Sequence, residues 1–181
     1  RNQGKAEAVR QGVLHAAATD GDYIGYWDAD LATPLAAIQQ MCAVLQGDPR
    51  VDVVLGSRVQ LLGRAIERRP VRHYLGRVFS TFASLTLDLA VYDTQCGAKL
   101  FRNTPRLLPL FASPFKSAWI FDVEIIARLK NLHRAGDLPP VEECLFEYPL
   151  YAWHDVHGSK LKMIDFLRAP LDLYRIWRYL H

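Results

Sequence analysis

Two short apolar runs set the terms of the fold. Tyr23 to Trp27 and Val51 to Leu55 lack the alternation of a half-solvated strand. Each therefore reads as a strand buried on both faces. Between them, residues 34–46 carry Leu35, Ile38, Cys42 and Leu45 at helical spacing, and Gly47-Asp48-Pro49 ends the pattern. Strand, helix and strand in this order imply a parallel pair with a crossover helix, hence an α/β sheet. In open parallel sheets ligands gather beyond the carboxyl ends of the strands. The first run ends in Asp28-Ala29-Asp30 and the second is followed by Gly56-Ser57-Arg58, so carboxylates and a guanidinium are expected at one edge.

In an extended chain, positions i and i+2 point to the same side, which lets Asp28 and Asp30 face one object. Two hard oxygen donors suit Mg²⁺ or Mn²⁺, which completes its shell with water and a substrate phosphate. That combination points to chemistry on a nucleotide diphosphate. The same stretch also reads as an ordinary helix start. Thr33 can cap free N–H groups, Pro34 fits the first helical position, and nearby acids are favoured by the helix dipole. The spacing alone leaves both readings open.

At 181 residues the chain can bury one sizeable core. Its formal net charge of +3 is too small to indicate a nucleic-acid partner. The basic residues are nevertheless clustered: Arg58, Arg64, Arg68, Arg69, Arg72 and Arg77 in one stretch, Lys160, Lys162, Arg168, Arg175 and Arg178 in another. These runs suit either solvated helix faces or an anionic substrate or membrane surface. Cys42, Cys96 and Cys144 are far apart and without CxxC spacing, so neither a disulfide framework nor a zinc site is indicated, and a reducing, cytoplasmic setting fits. No run of about 18 apolar residues is present to span a bilayer. The opening Arg1-Asn2-Gln3-Gly4-Lys5, without Met, is what a fragment would show.

Elsewhere, residues 5–18 and 121–134 are helical in pattern, the latter stopped by Gly136. Residues 72–90 repeat Leu75, Val78, Phe82, Leu85 and Leu89 at helical spacing, as a core-packing helix or one lying on a membrane would. Asp93-Thr94-Gln95-Cys96-Gly97 is a polar turn into residues 98–102, which alternate like a half-buried strand. Residues 141–151 read as another strand. Residues 160–180 are amphipathic and rich in Leu, Tyr, Trp and Arg, with Pro170 expected to kink or divide them.

Taken in order, Asn2-Gln3-Gly4-Lys5, Asp28-Ala29-Asp30, Gly56-Ser57-Arg58, the 93–102 segment, Trp119-Ile120-Phe121-Asp122-Val123-Glu124 and His157-Gly158-Ser159-Lys160 resemble the family-2 inverting glycosyltransferases. The series looks most like the polyprenyl-phosphate branch, which includes dolichyl-phosphate glucosyl- and mannosyltransferases. The resemblance implies a GT-A, Rossmann-like fold: a mostly parallel sheet flanked by helices, lacking its N-terminal strands here. It divides the chain into residues 1–159, the later part of the transferase domain, and an amphipathic tail over residues 160–181.

The same resemblance implies a UDP-glucose-like donor, a polyprenyl-phosphate acceptor and Mg²⁺ or Mn²⁺ at Asp28 and Asp30, with Asn2, Lys5 and Asp28 on the donor. Ala32 stands where some relatives carry a Gln ligand. Arg58 and Arg72 match acceptor-phosphate positions, and Lys99 and Lys160 are further candidates. A phosphate acceptor is already an anion near neutral pH and needs no general base, only cations to position it; Arg suits this by bidentate bonding. A hydroxyl acceptor would need a base, and Asp122 aligns with that role. Asp122 and Glu124 diverge on a helix, so both cannot face the site. The expected setting is peripheral, at the inner face of the membrane, with a homo-oligomer possible. A non-catalytic nucleotide- or membrane-binding module is the remaining alternative.

Overall fold

The computed structural model describes residues 3–67, 70–156 and 163–181. Helix α1 (Lys5–Ala17) precedes strand β1 (Tyr23–Trp27); α2 (Ala37–Gly47) and β2 (Val53–Ser57) follow. Next come β3 (Ala65–Glu67), α3 (Pro70–Leu87) and β4 (Ala98–Arg102). A 3₁₀ turn leads into α4 (Pro109–Ala112) and α5 (Phe121–Arg134). Then α6 (Val141–Cys144), β5 (Leu145–Pro149), β6 (Ala152–His154) and α7 (Met163–Leu180) complete the chain.

The main sheet has four strands in the order β1-β4-β2-β5. β2 and β5 are parallel, whereas β4 runs antiparallel to both β1 and β2. β1 and β2 thus point the same way, as the strand–helix–strand pattern requires, but they are not neighbours. Burial explains the insertion. Ala98, Lys99, Leu100 and Phe101 of β4 are all buried, so this strand belongs in the middle and not on a half-solvated edge. β1 is only partly buried, with Gly25 exposed, and takes the edge. A second, two-stranded parallel sheet joins β3 to β6, an element pair without a clear signal in the sequence. The expected strand over 141–151 divides into α6, β5 and the approach to β6.

The sheet is covered on both sides. On one face Ile24, Val53, Leu55 and Phe101 pack with α1 and the α5 residues Phe121, Ile125 and Leu129. On the other, Val54 and Leu100 meet Met41 and Leu45 of α2. α2 starts three residues later than Thr33-Pro34 suggests, because Ala37 and Ile38 donate to the Pro34 and Leu35 carbonyls in a tighter turn first. Its buried stripe is therefore Ala37, Met41 and Leu45, and Leu35 is exposed. Beyond Arg134, Gly136 adopts a left-handed φ of 85° and donates to the His133 carbonyl, ending α5 where the sequence places the stop.

Helices α3 and α7 pack against each other, and α7 also packs on α5. Pro170 lies inside α7 without dividing it. Leu173, Ile176 and Leu180 of α7 join the same core as the sheet residues, beyond the expected boundary at 159/160, which itself falls outside the described residues. α3 buries Ala83 and Leu87 and turns the predicted stripe outward: Leu75, Val78, Phe82 and Leu85 are 50–72% exposed. α3 is anchored to the core through Ala83, Leu87 and the partly buried Phe79, and carries Leu75, Val78, Phe82 and Leu85 on the outside. Among the described residues no helix is long and apolar enough to cross a membrane.

Candidate active site

The carboxyl ends of β1 and β2 and the turn entering β4 meet at one edge of the sheet. Asp28, just past β1, donates its backbone N–H to the Gly97 carbonyl at 2.8 Å. Its carboxylate lies over Gly97 so closely that a Cβ there would fall 2.0 Å from Oδ2. The Asp28 carbonyl accepts the Leu31 N–H at 3.0 Å, so Asp28 to Leu31 form a turn, not the extended segment assumed from the spacing. Leu31 closes that turn at φ 52°, a left-handed conformation unusual for a branched residue. The N–H of His154 donates to the Ala32 carbonyl, which brings the end of β6 against the same turn.

Three cation–carboxylate pairs occupy this edge. In the first, Lys5 at the start of α1 lies 2.6 Å from Asp28 Oδ1, and both side chains remain partly open to solvent. Two residues expected at the donor are thus brought together.

The second joins β2 to the 93–97 turn. Arg58 donates Nε and Nη2 to the two oxygens of Asp93 at 2.6 and 2.7 Å, and its backbone N–H donates to Oδ2 as well. Burial opposes the Arg58 charge, but the Asp93 carboxylate and these hydrogen bonds outweigh it, so the guanidinium is held above its ordinary pKa. Glu147 of β5 fixes the turn from below by accepting the N–H groups of Tyr92 and Asp93 at 2.7 and 2.6 Å. Arg58 keeps three further N–H groups beyond the two directed at Asp93.

The third is the Lys99–Asp122 pair. Tyr26 and Lys99 are register partners in β1 and β4, and Asp122 comes down on them from the first turn of α5. Asp122 Oδ1 receives Lys99 Nζ at 2.6 Å and the Tyr26 hydroxyl at 2.5 Å. Lys99 Nζ also donates to the Cys96 carbonyl. Burial and the Asp122 charge push the Tyr26 hydroxyl well above its ordinary pKa, so it stays a donor. Lys99, expected on the acceptor phosphate, has no solvent-exposed surface and is committed to Asp122 instead. Glu124 turns away: it accepts the Lys116 N–H and pairs with Arg128, as the helical divergence of i and i+2 requires.

Asp28 Oδ1 is used by Lys5, and Asp30 Oδ1 accepts the Ala32 N–H at 3.1 Å. One oxygen of each carboxylate is left for a ligand, which fits a hard divalent cation that takes one or two protein carboxylates and completes its shell with water and phosphate. Among the described residues no third His, Cys, Asp or Glu joins them. Asn2, Lys160 and the 157–160 motif lie outside the described residues, as does the side chain of Arg72. Asp93 and Glu147 were missed as site residues. The available signal was an acid in the middle of the apolar Leu145-Phe146-Glu147-Tyr148 strand.

Residues 1–106 match the family described as Glycosyl transferase family 2. The chain belongs to that family. Family-2 relatives that resemble it along nearly its whole length include the dolichyl-phosphate β-glucosyltransferase of Saccharomyces cerevisiae, 30% identical over 186 residues, covering 96% of this chain and 51% of that protein. The Drosophila melanogaster protein of the same description is 35% identical over 190 residues, covering 99% and 53%. The chain thus spans about half the length of these curated relatives. Among solved structures, glucosyl-3-phosphoglycerate synthase from Mycobacterium tuberculosis in complex with UDP superposes with a TM-score of 0.64 at 16% identity, over 98% of this chain and 56% of that one. This likeness shows a shared GT-A fold.

Proposed function

We propose that this chain is the catalytic part of a metal-dependent, inverting glycosyltransferase that moves glucose from a nucleotide sugar such as UDP-glucose to a polyprenyl phosphate. The observation that carries the acceptor class is the Lys99–Asp122–Tyr26 cluster. The acid that would serve as base for a hydroxyl acceptor has its Oδ1 paired with a buried ammonium and a tyrosine hydroxyl. A phosphate acceptor asks for no base. The dolichyl-phosphate glucosyltransferase relatives support the same acceptor and sugar.

In this reading an acceptor phosphate oxygen attacks the anomeric carbon from the face opposite the diphosphate. The new C–O bond forms as the bond to the diphosphate oxygen breaks, inverting the centre. Arg58, oriented by Asp93, holds the acceptor phosphate against the repulsion of the donor's phosphates. Lys5 and the amino end of α1 face the donor diphosphate. Asp28 and Asp30 would hold Mg²⁺ or Mn²⁺, which offsets charge on the departing diphosphate.

A lipid acceptor also accounts for the outward faces of α3 and α7. Leu75, Val78, Phe82 and Leu85 of α3 are exposed, as are Leu171 and Tyr174 of α7, the helix that packs against it. A hollow on α7 is lined by Lys116, Arg175, Arg178 and Tyr179. Apolar residues next to cations suit a bilayer with anionic headgroups, at its cytoplasmic face.

The test is to incubate the full-length protein with a panel of nucleotide sugars and a prenyl phosphate, and to look for a lipid-linked sugar. Asp122→Asn, whose amide oxygen can still accept from Lys99 and Tyr26, is expected to retain transfer per folded molecule, and Arg58→Ala to lose it. The opposite pattern would show that a hydroxyl is the acceptor.

A further inference from the structure

The three cations at the sheet edge are each balanced by a carboxylate: Lys5 by Asp28, Arg58 by Asp93 and Lys99 by Asp122. A phosphate monoester entering this edge meets cations whose charge is already offset. Arg77 is different. It reaches from α3 to the same 92–95 turn that grips Arg58, with its guanidinium carbon 3.8 Å from the Tyr92 ring centroid. Its Nη1 is buried and has no hydrogen-bond partner, and no carboxylate pairs with it among the described residues. The next residues of that turn repeat the pattern. Thr94 is wholly buried with its Oγ1 unpartnered, and Gln95 Nε2 is buried without an acceptor.

Unpartnered buried polar groups are costly, and more so when charged, so Arg77 Nη1, with Thr94 Oγ1 and Gln95 Nε2 on the turn that Arg77 packs against, calls for a polar or anionic ligand. The turn that carries them is rigid, since Glu147 holds two of its N–H groups and Asp93 is locked to Arg58. The guanidinium lies over the Tyr92 ring, and its planar set of donors is suited to a tetrahedral oxyanion.

We propose that Arg77, assisted by Thr94 and Gln95, is a further phosphate-binding residue that supplies a positive charge, unpaired with any carboxylate among the described residues, for the acceptor's phosphate monoester. Arg58 orients that phosphate; Arg77 attracts it. This rests on the polyprenyl-phosphate reading given above.

The test uses the full-length protein with farnesyl phosphate as acceptor. Arg77→Met keeps the apolar stem over Tyr92 and removes the charge. It is expected to raise KM for farnesyl phosphate about tenfold or more, as loss of a charged hydrogen bond should, while KM for the nucleotide sugar and kcat stay within about twofold. Arg77→Lys, which keeps the charge, is expected to fall between wild type and Arg77→Met and serves if the Met variant does not fold. An unchanged acceptor KM, or equal rises for donor and acceptor, overturns the proposal while leaving the glucosyltransferase reading intact. Loss of flotation on phosphatidylserine vesicles in parallel with activity would assign Arg77 to membrane headgroups and also overturn it. If wild-type protein transfers no sugar to farnesyl phosphate, the acceptor reading fails and this proposal fails with it.

Discussion

The Lys99 ammonium sits 2.6 Å from Asp122 Oδ1, with 0% and 5% of the two side chains exposed. Such a pair contributes little net stability when intact, but breaking it from one side strands a charge. Lys99→Met is therefore expected to destabilise the protein by about 3–5 kcal/mol. Adding Asp122→Asn should recover more than half of that loss. Urea denaturation midpoints of the single and double variants check both, and an unchanged midpoint for Lys99→Met would show that the pair does not form.

Gly97 bears on the proposed metal site through Asp28. A methyl group at that position would meet the Asp28 carboxylate at 2.0 Å, so Gly97→Ala must swing Asp28 aside. The side chain is short and partly solvated, so the expected cost in stability is small, about 1 kcal/mol. The expected cost in function is large. Mn²⁺-dependent binding of UDP, followed by calorimetry on the full-length protein, should drop below detection in Gly97→Ala while the thermal midpoint shifts little.

The outward face of α3 separates folding from docking. Phe82 and Leu85 are 57% and 72% exposed, so Phe82→Ser with Leu85→Ser removes almost nothing from the core. The thermal midpoint should stay within about 2 °C of wild type, since changes of this kind cost under about 0.5 kcal/mol. Flotation on phosphatidylcholine–phosphatidylserine vesicles should fall markedly. Unimpaired flotation would assign this face to another partner.

Acid should loosen two surface links. Hydrogen bonds from Arg10 pull the Glu7 carboxyl from 4.5 to about 2, and those from Arg50 pull Asp48 from 3.8 to about 2. Both folded values lie below the unfolded ones, so the stabilisation is fully present above pH 4.5 and lost as pH falls through about 2. Carboxyl NMR titrations should show midpoints near 2 for both groups, and Glu7→Gln should flatten the stability profile in that window.

The α/β class, the two runs at residues 23–27 and 51–55 and the convergence of Asp28 with Arg58 were legible in the sequence, because local periodicity and strand ends are local properties. What was not legible depends on distant pairing. β4 intrudes between β1 and β2 through contacts such as Tyr26 with Lys99, which no spacing announces. The same contact redirects Lys99 from a phosphate to Asp122. The spacing of Leu75, Val78, Phe82 and Leu85 marks α3 as helical, yet periodicity cannot tell an inward apolar face from an outward one. That distinction depended on Ala83 and Leu87, which fit against the core where Phe82 and Leu85 do not. Residue type makes Thr33 a candidate cap, but its carbonyl is taken by Trp27 Nε1 and its side chain lies beside Cys96.

The placement of β4 has a consequence for the order of assembly. β1, α2 and β2 can be made, and can even approach one another, before the strand that belongs between them exists. Until β4 is inserted, Asp28 has no Gly97 beneath it, Asp122 has no Lys99 and Arg58 has no Asp93. A half-finished chain therefore lacks the edge at which a ligand is proposed to bind. Ligand binding at this edge is linked to the insertion of β4 and would favour molecules that have completed it.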